Sequence, residues 1–148
     1  MRISVKGRYA LAAITEMARD FGSGRQYTVI ALANRLGISK IYLEQVFSQA
    51  RKGGILLSIK GAKGGYQLSR HPRGITAWDV LSCIENALTE HSGESVEKEA
   101  PELEAALNDL VFTPLDNAIL QALSKVNIQE LAEYADNQGE NQSFMYFL

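Results

Sequence analysis

The chain has 148 residues, 46% hydrophobic and 22% charged, with a formal net charge of −2. That length suffices for one ordinary domain, which buries roughly 70% of its unfolded surface and needs neither disulfides nor a structural metal. The single cysteine, Cys83, excludes an intrachain disulfide and fits a reducing, cytoplasmic setting. No run of about 18 apolar residues occurs, and the first residues carry no signal-type apolar stretch, so no membrane segment is expected.

The near-neutral total hides a segregation. Residues 1–75 carry 13 Lys and Arg against three acids, a balance of +10, whereas residues 76–148 carry two against 14, a balance of −12. A basic half points to a polyanionic partner; an acidic half points to solubility or to a different partner.

The chain opens with Leu11, Ile14, Ala18 and Phe21 at helical spacing, predicting a helix from residue 4 or 5 to 21, stopped by Gly22. Lys6, Arg8 and Tyr9 fall on its first turns, where free helix N–H groups offer a seat for a DNA phosphate. A second helix is expected over 28–36, ending at Gly37. Ser39 can cap a third over 40–52, stopped by Gly53-Gly54. Residues 55–60 alternate like a half-buried strand, and 66–68 read as its return. Two helices joined by a Gly-containing turn and followed by a hairpin make a winged helix-turn-helix, so the fold class is mainly α with a small β-hairpin.

In the 40–52 helix, Leu43, Val46, Phe47 and Ala50 form the inward face. Ile41, Gln45, Ser48 and Lys52 lie opposite, with Lys40 and Glu44 on one edge and Tyr42 and Gln49 on the other. The N-terminal part of such a helix enters the major groove. Gln45 can pair with adenine and Glu44 can accept from the cytosine amino group. Ser39, Tyr42 and Arg51 suit phosphates, which position without specifying; Lys40 and Ser48 complete the candidate face. At the hairpin tip, Lys60, Gly61, Lys63, Gly64 and Gly65 combine close backbone approach with charge suited to a narrow minor groove. The tip lacks a Gly-Lys-Ser/Thr ending and opens no helix, which excludes a nucleotide loop.

Past the connector His71-Pro72-Arg73-Gly74, Thr76 and Asp79 have capping-box spacing. The helix they open carries Val80, Leu81, Ile84, Ala87 and Leu88. Cys83 sits beside this stripe, either as a small buried hydrophobe or, given exposure and a lowered pKa, as a redox-sensing thiol. Residues 89–101 form an acidic loop. Residues 102–126 are helical, with Pro114 kinking the run or beginning a new helix. Leu115, Ala118, Ile119, Ala122, Leu123 and Val126 form a stripe that either pairs with a second copy or packs back on its own domain. Asn127 and Glu130 cap a short helix to about residue 135. A polar tail follows, ending in Phe144, Met145, Tyr146, Phe147 and Leu148.

The expected organisation is a DNA-binding domain over 1–75, a helix, loop and dimerisation helix over 76–135, and a tail over 136–148. The two histidines, His71 and His91, both lie in connectors. No Ser/His/Asp, Cys/His or metal-spaced constellation is visible, so neither an enzyme, a metal nor a cofactor is expected.

The opening Met1-Arg2-Ile3-Ser4-Val5-Lys6-Gly7-Arg8-Tyr9-Ala10, the run Ile38-Ser39-Lys40-Ile41-Tyr42-Leu43-Glu44-Gln45-Val46-Phe47 and the run Ser58-Ile59-Lys60-Gly61-Ala62-Lys63-Gly64-Gly65-Tyr66 resemble the Rrf family of bacterial winged-helix transcription regulators. The resemblance implies a homodimer with a long dimerisation helix, reading a palindromic operator in double-stranded DNA. It implies operator contacts at Tyr42, Glu44, Gln45, Lys60 and the Gly-rich tip. Many members sense through an iron–sulfur cluster held by three cysteines in the loop corresponding to about 89–102. This loop has none; its soft ligands reduce to His91 and the upstream Cys83, which argues against a cluster. A redox- or iron–sulfur-responsive regulator is the first alternative. The chain is most similar to members without cluster cysteines that repress cysteine metabolism with cysteine synthase as corepressor. The aromatic tail and its carboxylate suit a partner pocket, or the tail folds back over the dimer core. An enzyme-binding module with secondary DNA binding is the second alternative.

Overall fold

Helix α1 (Val5–Ala18) is the central element of the core, with Ala10, Ala13, Ile14, Met17 and Ala18 on its buried face. The structure, a computed structural model, describes residues 3–90 and 93–146. Helix α2 (Val29–Leu36) begins at Thr28, whose hydroxyl accepts from the Ala31 N–H, and ends at Gly37 in the left-handed region at φ 66°. Helix α3 (Lys40–Lys52) buries Leu43, Val46, Phe47 and Ala50, the face expected from the sequence. Ser39 occupies its N-cap position, but the Ser39 hydroxyl makes no capping bond.

Strands β1 (Leu56–Ile59) and β2 (Gly65–Leu68) pair antiparallel, with Leu56 opposite Leu68 and Ile59 opposite Gly65. The hairpin has a neighbour that the sequence did not reveal. Tyr27 exchanges two backbone hydrogen bonds with Tyr66, at 2.9 and 2.7 Å, and so ties the segment before α2 to the outer edge of β2. Phe47 meets Tyr66 edge-on at 4.9 Å, fixing the hairpin against α3.

The expected capping box is present at the start of α4 (Ala77–Ile84). Asp79 N–H donates to the Thr76 hydroxyl at 3.0 Å, and Thr76 N–H donates to the Asp79 carboxylate at 2.9 Å. A second reciprocal pair, Asn127 with Glu130, opens α7. Between them, Ala77 N–H donates to Val126 O and Ile128 N–H to Ile75 O, both at 2.8 Å. This bridge seats Ile128 and Ala132 in the same core as α1, α3 and α4.

Three boundaries differ from expectation, and one break allowed by the sequence is present. Helix α1 stops at Ala18, not residue 21, because the chain must turn back through Gly22 and Gly24, both at positive φ, to reach the Tyr27 pairing. Phe21 is left largely exposed, edge-on to His71 at 5.1 Å. Helix α4 ends at Ile84, and Ala87 and Leu88 fall in a separate 3₁₀ turn (Asn86–Leu88). The long helix divides, as the sequence allowed, with a new helix beginning next to Pro114: α5 (Pro101–Leu107), a π turn (Asn108–Phe112) and α6 (Thr113–Ser124). Pro114 stands in the first turn of α6, where its missing N–H is tolerated, and the wider π turn lies immediately before it. Finally, α7 (Ile128–Tyr146) runs well past residue 135, so the polar stretch 136–143 is helical and not a loose tail. Arg19 ties its middle to α1 through Asp136 at 2.7 Å. Phe147 and Leu148 lie outside the described residues.

Candidate nucleic-acid interface

The outer face of α3 is solvent-exposed from Ser39 to Gln45, with Leu43 the one buried position in that run. Lys6, Ile41, Glu44, Gln45, Ser48 and Gln49 line a shallow groove of about 480 Å³ along this face. The fold therefore brings Lys6 of α1 beside the N-terminal half of α3. Its Nζ lies 6.0 Å from the centre of the Tyr42 ring, and Tyr9 meets the same ring at 6.3 Å. Lys40 and Glu44 pair at 3.5 Å along one edge of the helix. Arg8 does not line this groove; with Tyr9 it borders a second one, lined also by Ile3, Leu11, Ala12, Leu36 and Ile38.

The start of α1 does not stand open for an external phosphate, contrary to expectation. The Glu85 carboxylate occupies it, accepting from the Ser4 N–H at 2.8 Å and the Ser4 hydroxyl at 2.6 Å, while Gly7 N–H donates to Ser4 Oγ at 3.1 Å. The chain's own anion satisfies the positive end of the helix. Glu85 was not a candidate residue, and only the fold reveals it.

At the hairpin tip, Lys60, Gly61 and Lys63 are exposed, and Gly64 and Gly65 are half-buried. Among the described residues neither lysine has an ion-pair partner. The glycines answer to the hairpin itself. Gly61 adopts φ 114°, a Cβ on Gly64 would collide with the Ile59 carbonyl, and one on Gly65 would fall 2.6 Å from the Tyr27 carbonyl. Arg51 and Lys52 remain exposed at the end of α3. Along the chain, the Gly53-Gly54 junction separates the two basic elements, the α3 face and the hairpin tip.

Cys83 is half-buried at that junction. Its thiol donates to the Asp79 carbonyl at 3.1 Å, and a Cβ on Gly53 would overlap its sulfur. Burial pushes the Cys83 thiol pKa up; the Asp79 charge adds to this and Arg70 opposes it. A raised pKa is the reverse of what a reactive thiolate needs.

The stripe on α6 divides between two surroundings. Ile119, Leu123 and Val126 are half-buried, and α6 lies against α4, whereas Leu115, Ala118 and Ala122 are exposed. With Leu103, Leu107, Leu110, Val111 and Phe112, Leu115 continues an exposed apolar ridge along α5, the π turn and α6, and none of these three segments has a buried residue. At the far end of α7, Met145 and Tyr146 are exposed, Tyr146 at 91%.

Comparison with known proteins gives concordant matches. The sequence model of the Rrf2 family, described as an iron-dependent transcriptional regulator, matches residues 3–134. The chain is 34% identical over 148 residues to the HTH-type transcriptional regulator CymR of Bacillus subtilis, covering all of both chains. The solved structure of CymR, the global cysteine regulator of B. subtilis, superposes with a TM-score of 0.71 at 30% identity, covering 90% of this chain and 98% of that one. T. potens IscR gives a TM-score of 0.71 at 29% identity, covering 99% and 96%.

The iron named in the family description can be set against the donors present. A cluster takes several thiolates, and this chain has one cysteine, inside α4 and hydrogen-bonded as a thiol. His91 lies outside the described residues, and among those described no group of three His, Cys, Asp or Glu side chains is placed to hold a metal ion. The donor set does not fit a cluster held by cysteines.

Proposed function

The chain belongs to the Rrf2 family of winged-helix, DNA-binding transcription regulators, and from that premise we propose that it is a homodimeric repressor of cysteine and sulfur metabolism genes with cysteine synthase as corepressor. The observation that carries this reading is the match to CymR over the whole of both chains. As a regulator of chromosomal genes it works in the cytoplasm. Among the described residues no helix is long and apolar enough to cross a membrane.

Dimerisation is supported by the apolar ridge on α5 and α6. A row of exposed apolar side chains from Leu103 to Leu115, with Leu110 78% exposed, is the kind of surface that a soluble protomer ordinarily covers. A second copy related by a two-fold axis covers such a ridge with its own. Each protomer then presents α3 to a major groove, and two copies read half-sites one turn apart or a multiple of it. In this reading Gln45 and Glu44 meet base edges. Lys6, Tyr9, Ser39, Lys40, Tyr42, Ser48 and Arg51 hold phosphates or flank them, and Lys60 and Lys63 follow the backbone beside the minor groove. The helix α7 leaves Met145 and Tyr146 exposed at its far end, which supports a reading in which the aromatic segment at this end of the chain enters an enzyme pocket.

The test is a selection of genomic fragments from the source organism by the purified protein, with and without its cysteine synthase. Palindromic sites upstream of sulfur-uptake and cysteine genes, bound more tightly with the enzyme present, support the reading. Palindromic sites elsewhere that are indifferent to the enzyme remove the corepressor.

A further inference from the structure

The candidate face of α3 contains one residue that neither charge nor hydrogen bonding explains. Ile41, in the first turn of the helix, is 68% exposed and lies outside the hydrophobic core. Its neighbours on that face are polar, namely Lys40, Glu44, Gln45 and Ser48, and its side chain lines the same groove as Glu44 and Gln45. Tyr42, the other exposed apolar body in this turn, is accounted for by Tyr9 and Lys6. A β-branched side chain adds nothing to the helix at this position and is slightly disfavoured there.

We propose that Ile41 is a specificity-determining residue that reads the 5-methyl group of a thymine in the operator half-site. In the major groove thymine presents a methyl where cytosine presents only hydrogen, and an apolar side chain is the complementary reader. Against a methyl, Ile41 removes apolar surface from water on both partners; against a cytosine amino group or a guanine carbonyl it desolvates a polar edge and returns no hydrogen bond. Polar residues elsewhere on the face can tell thymine from cytosine by its O4 acceptor but cannot register the methyl itself, because a thymine and a uracil offer them the same acceptor. The spacing also places the target. Ile41 precedes Gln45 by four residues, about 6 Å along the helix axis, and bases on one strand are about 3.4 Å apart. The thymine therefore lies about two base pairs from the base that Gln45 contacts. This inference rests on α3 being the reading helix, and it adds one position and one base to that reading.

The experiment uses the full-length protein and an operator obtained by selection from random duplexes. Each thymine of a half-site is replaced in turn by deoxyuridine, which removes only the methyl group, and binding is measured for the wild type and for Ile41→Ala. One methyl is worth about three- to fivefold in affinity. The expected result is that the wild type loses about this factor at a thymine near the Gln45-dependent position, while Ile41→Ala loses none there and Ile41→Leu retains part of the effect. Deoxyuridine neutral at every thymine, an equal loss in Ile41→Ala, or a selected half-site without thymine near the Gln45 position each overturns the proposal. Failure of the underlying reading has a different signature: Gln45→Ala binds the selected operator as tightly as the wild type does. Because Ile41 lies outside the core, its variants keep the wild-type melting temperature, which separates a lost contact from a lost fold.

Discussion

The Glu85 carboxylate binds the backbone N–H and the hydroxyl of Ser4, 81 positions earlier in the chain, through a single oxygen, Oε1. Ser4 in turn caps α1 through Gly7 N–H. The end of α4, just before the acidic loop, is thereby fastened to the start of the helix that carries Lys6 and Tyr9 toward α3. A hypothetical Cβ on Gly7 would overlap that Glu85 oxygen and lie 2.6 Å from the Ile3 side chain, so an alanine here must displace both side chains.

Removing this cap destabilises the protein. Glu85→Ala and Ser4→Ala each lower unfolding stability by about 0.5–2 kcal/mol, as for loss of a helix cap. Gly7→Ala, which in an open helix would be favourable by up to about 1 kcal/mol, is destabilising here. Its cost shrinks in the Glu85→Ala background, where only the Ile3 contact persists. Urea unfolding of the four proteins of this cycle measures the coupling; independent, additive effects would show that Glu85 does not set the cost of alanine there.

The contact between Gly53 and Cys83 makes a second coupled pair. Gly53 has ordinary helical φ of −78°, so the backbone itself tolerates alanine. The added methyl meets the Cys83 sulfur, and Gly53→Ala costs about 1–3 kcal/mol as an overpacked contact. Combining it with Cys83→Ala restores most of that stability. Cys83→Ala alone has a small effect, because the side chain it shortens is only half-buried.

Cys83 titrates above a free thiol. Its folded pKa is raised by burial first and by Asp79 second, so the native state holds its proton where the unfolded state has begun to release it. The associated stability is present below the unfolded thiol pKa and declines as pH rises through the folded value. Iodoacetamide labelling as a function of pH checks this: the rate profile of the native protein lies at higher pH than that of the unfolded chain. A native profile at lower pH would identify an activated thiolate and revive a redox role.

On DNA, Lys60→Ala and Lys63→Ala weaken binding and flatten its salt dependence, each by roughly the contribution of one phosphate contact. Gln45→Ala costs about 1–3 kcal/mol at the specific site and much less on random duplex. Fluorescence anisotropy over a salt series separates the two behaviours. Binding unchanged at low and high salt for both lysine variants would remove the hairpin tip from the interface.

The apolar ridge gives a prediction on assembly. Leu110→Glu and Leu115→Glu place a charge where the isolated protomer exposes the side chain, so the protomer keeps its fold, while a helix-paired dimer would have to bury that charge. Sedimentation shows a shift to monomer with unchanged circular dichroism. A dimer that survives both substitutions is built on another face.

Much of this protein was legible because its signals are local. A cap, a stop glycine and an amphipathic period act over three to seven residues. Thr76 with Asp79, Asn127 with Glu130, Gly37 past α2 and the buried Leu43, Val46, Phe47 and Ala50 stood in the sequence as they stand in the fold. The three quoted runs carried the family for the same reason. The extent of α7 is not legible in the sequence because the stretch 136–143 has no apolar stripe; once Ile128 and Ala132 anchor its first turns, each further residue adds a helical bond without a new nucleation cost. Only tertiary structure decided that Glu85 fills the start of α1, that Tyr27 pairs with Tyr66 and that Gly53 makes room for Cys83. Those relationships join residues brought together by chain closure, and no local propensity encodes which distant group will arrive at a given helix end.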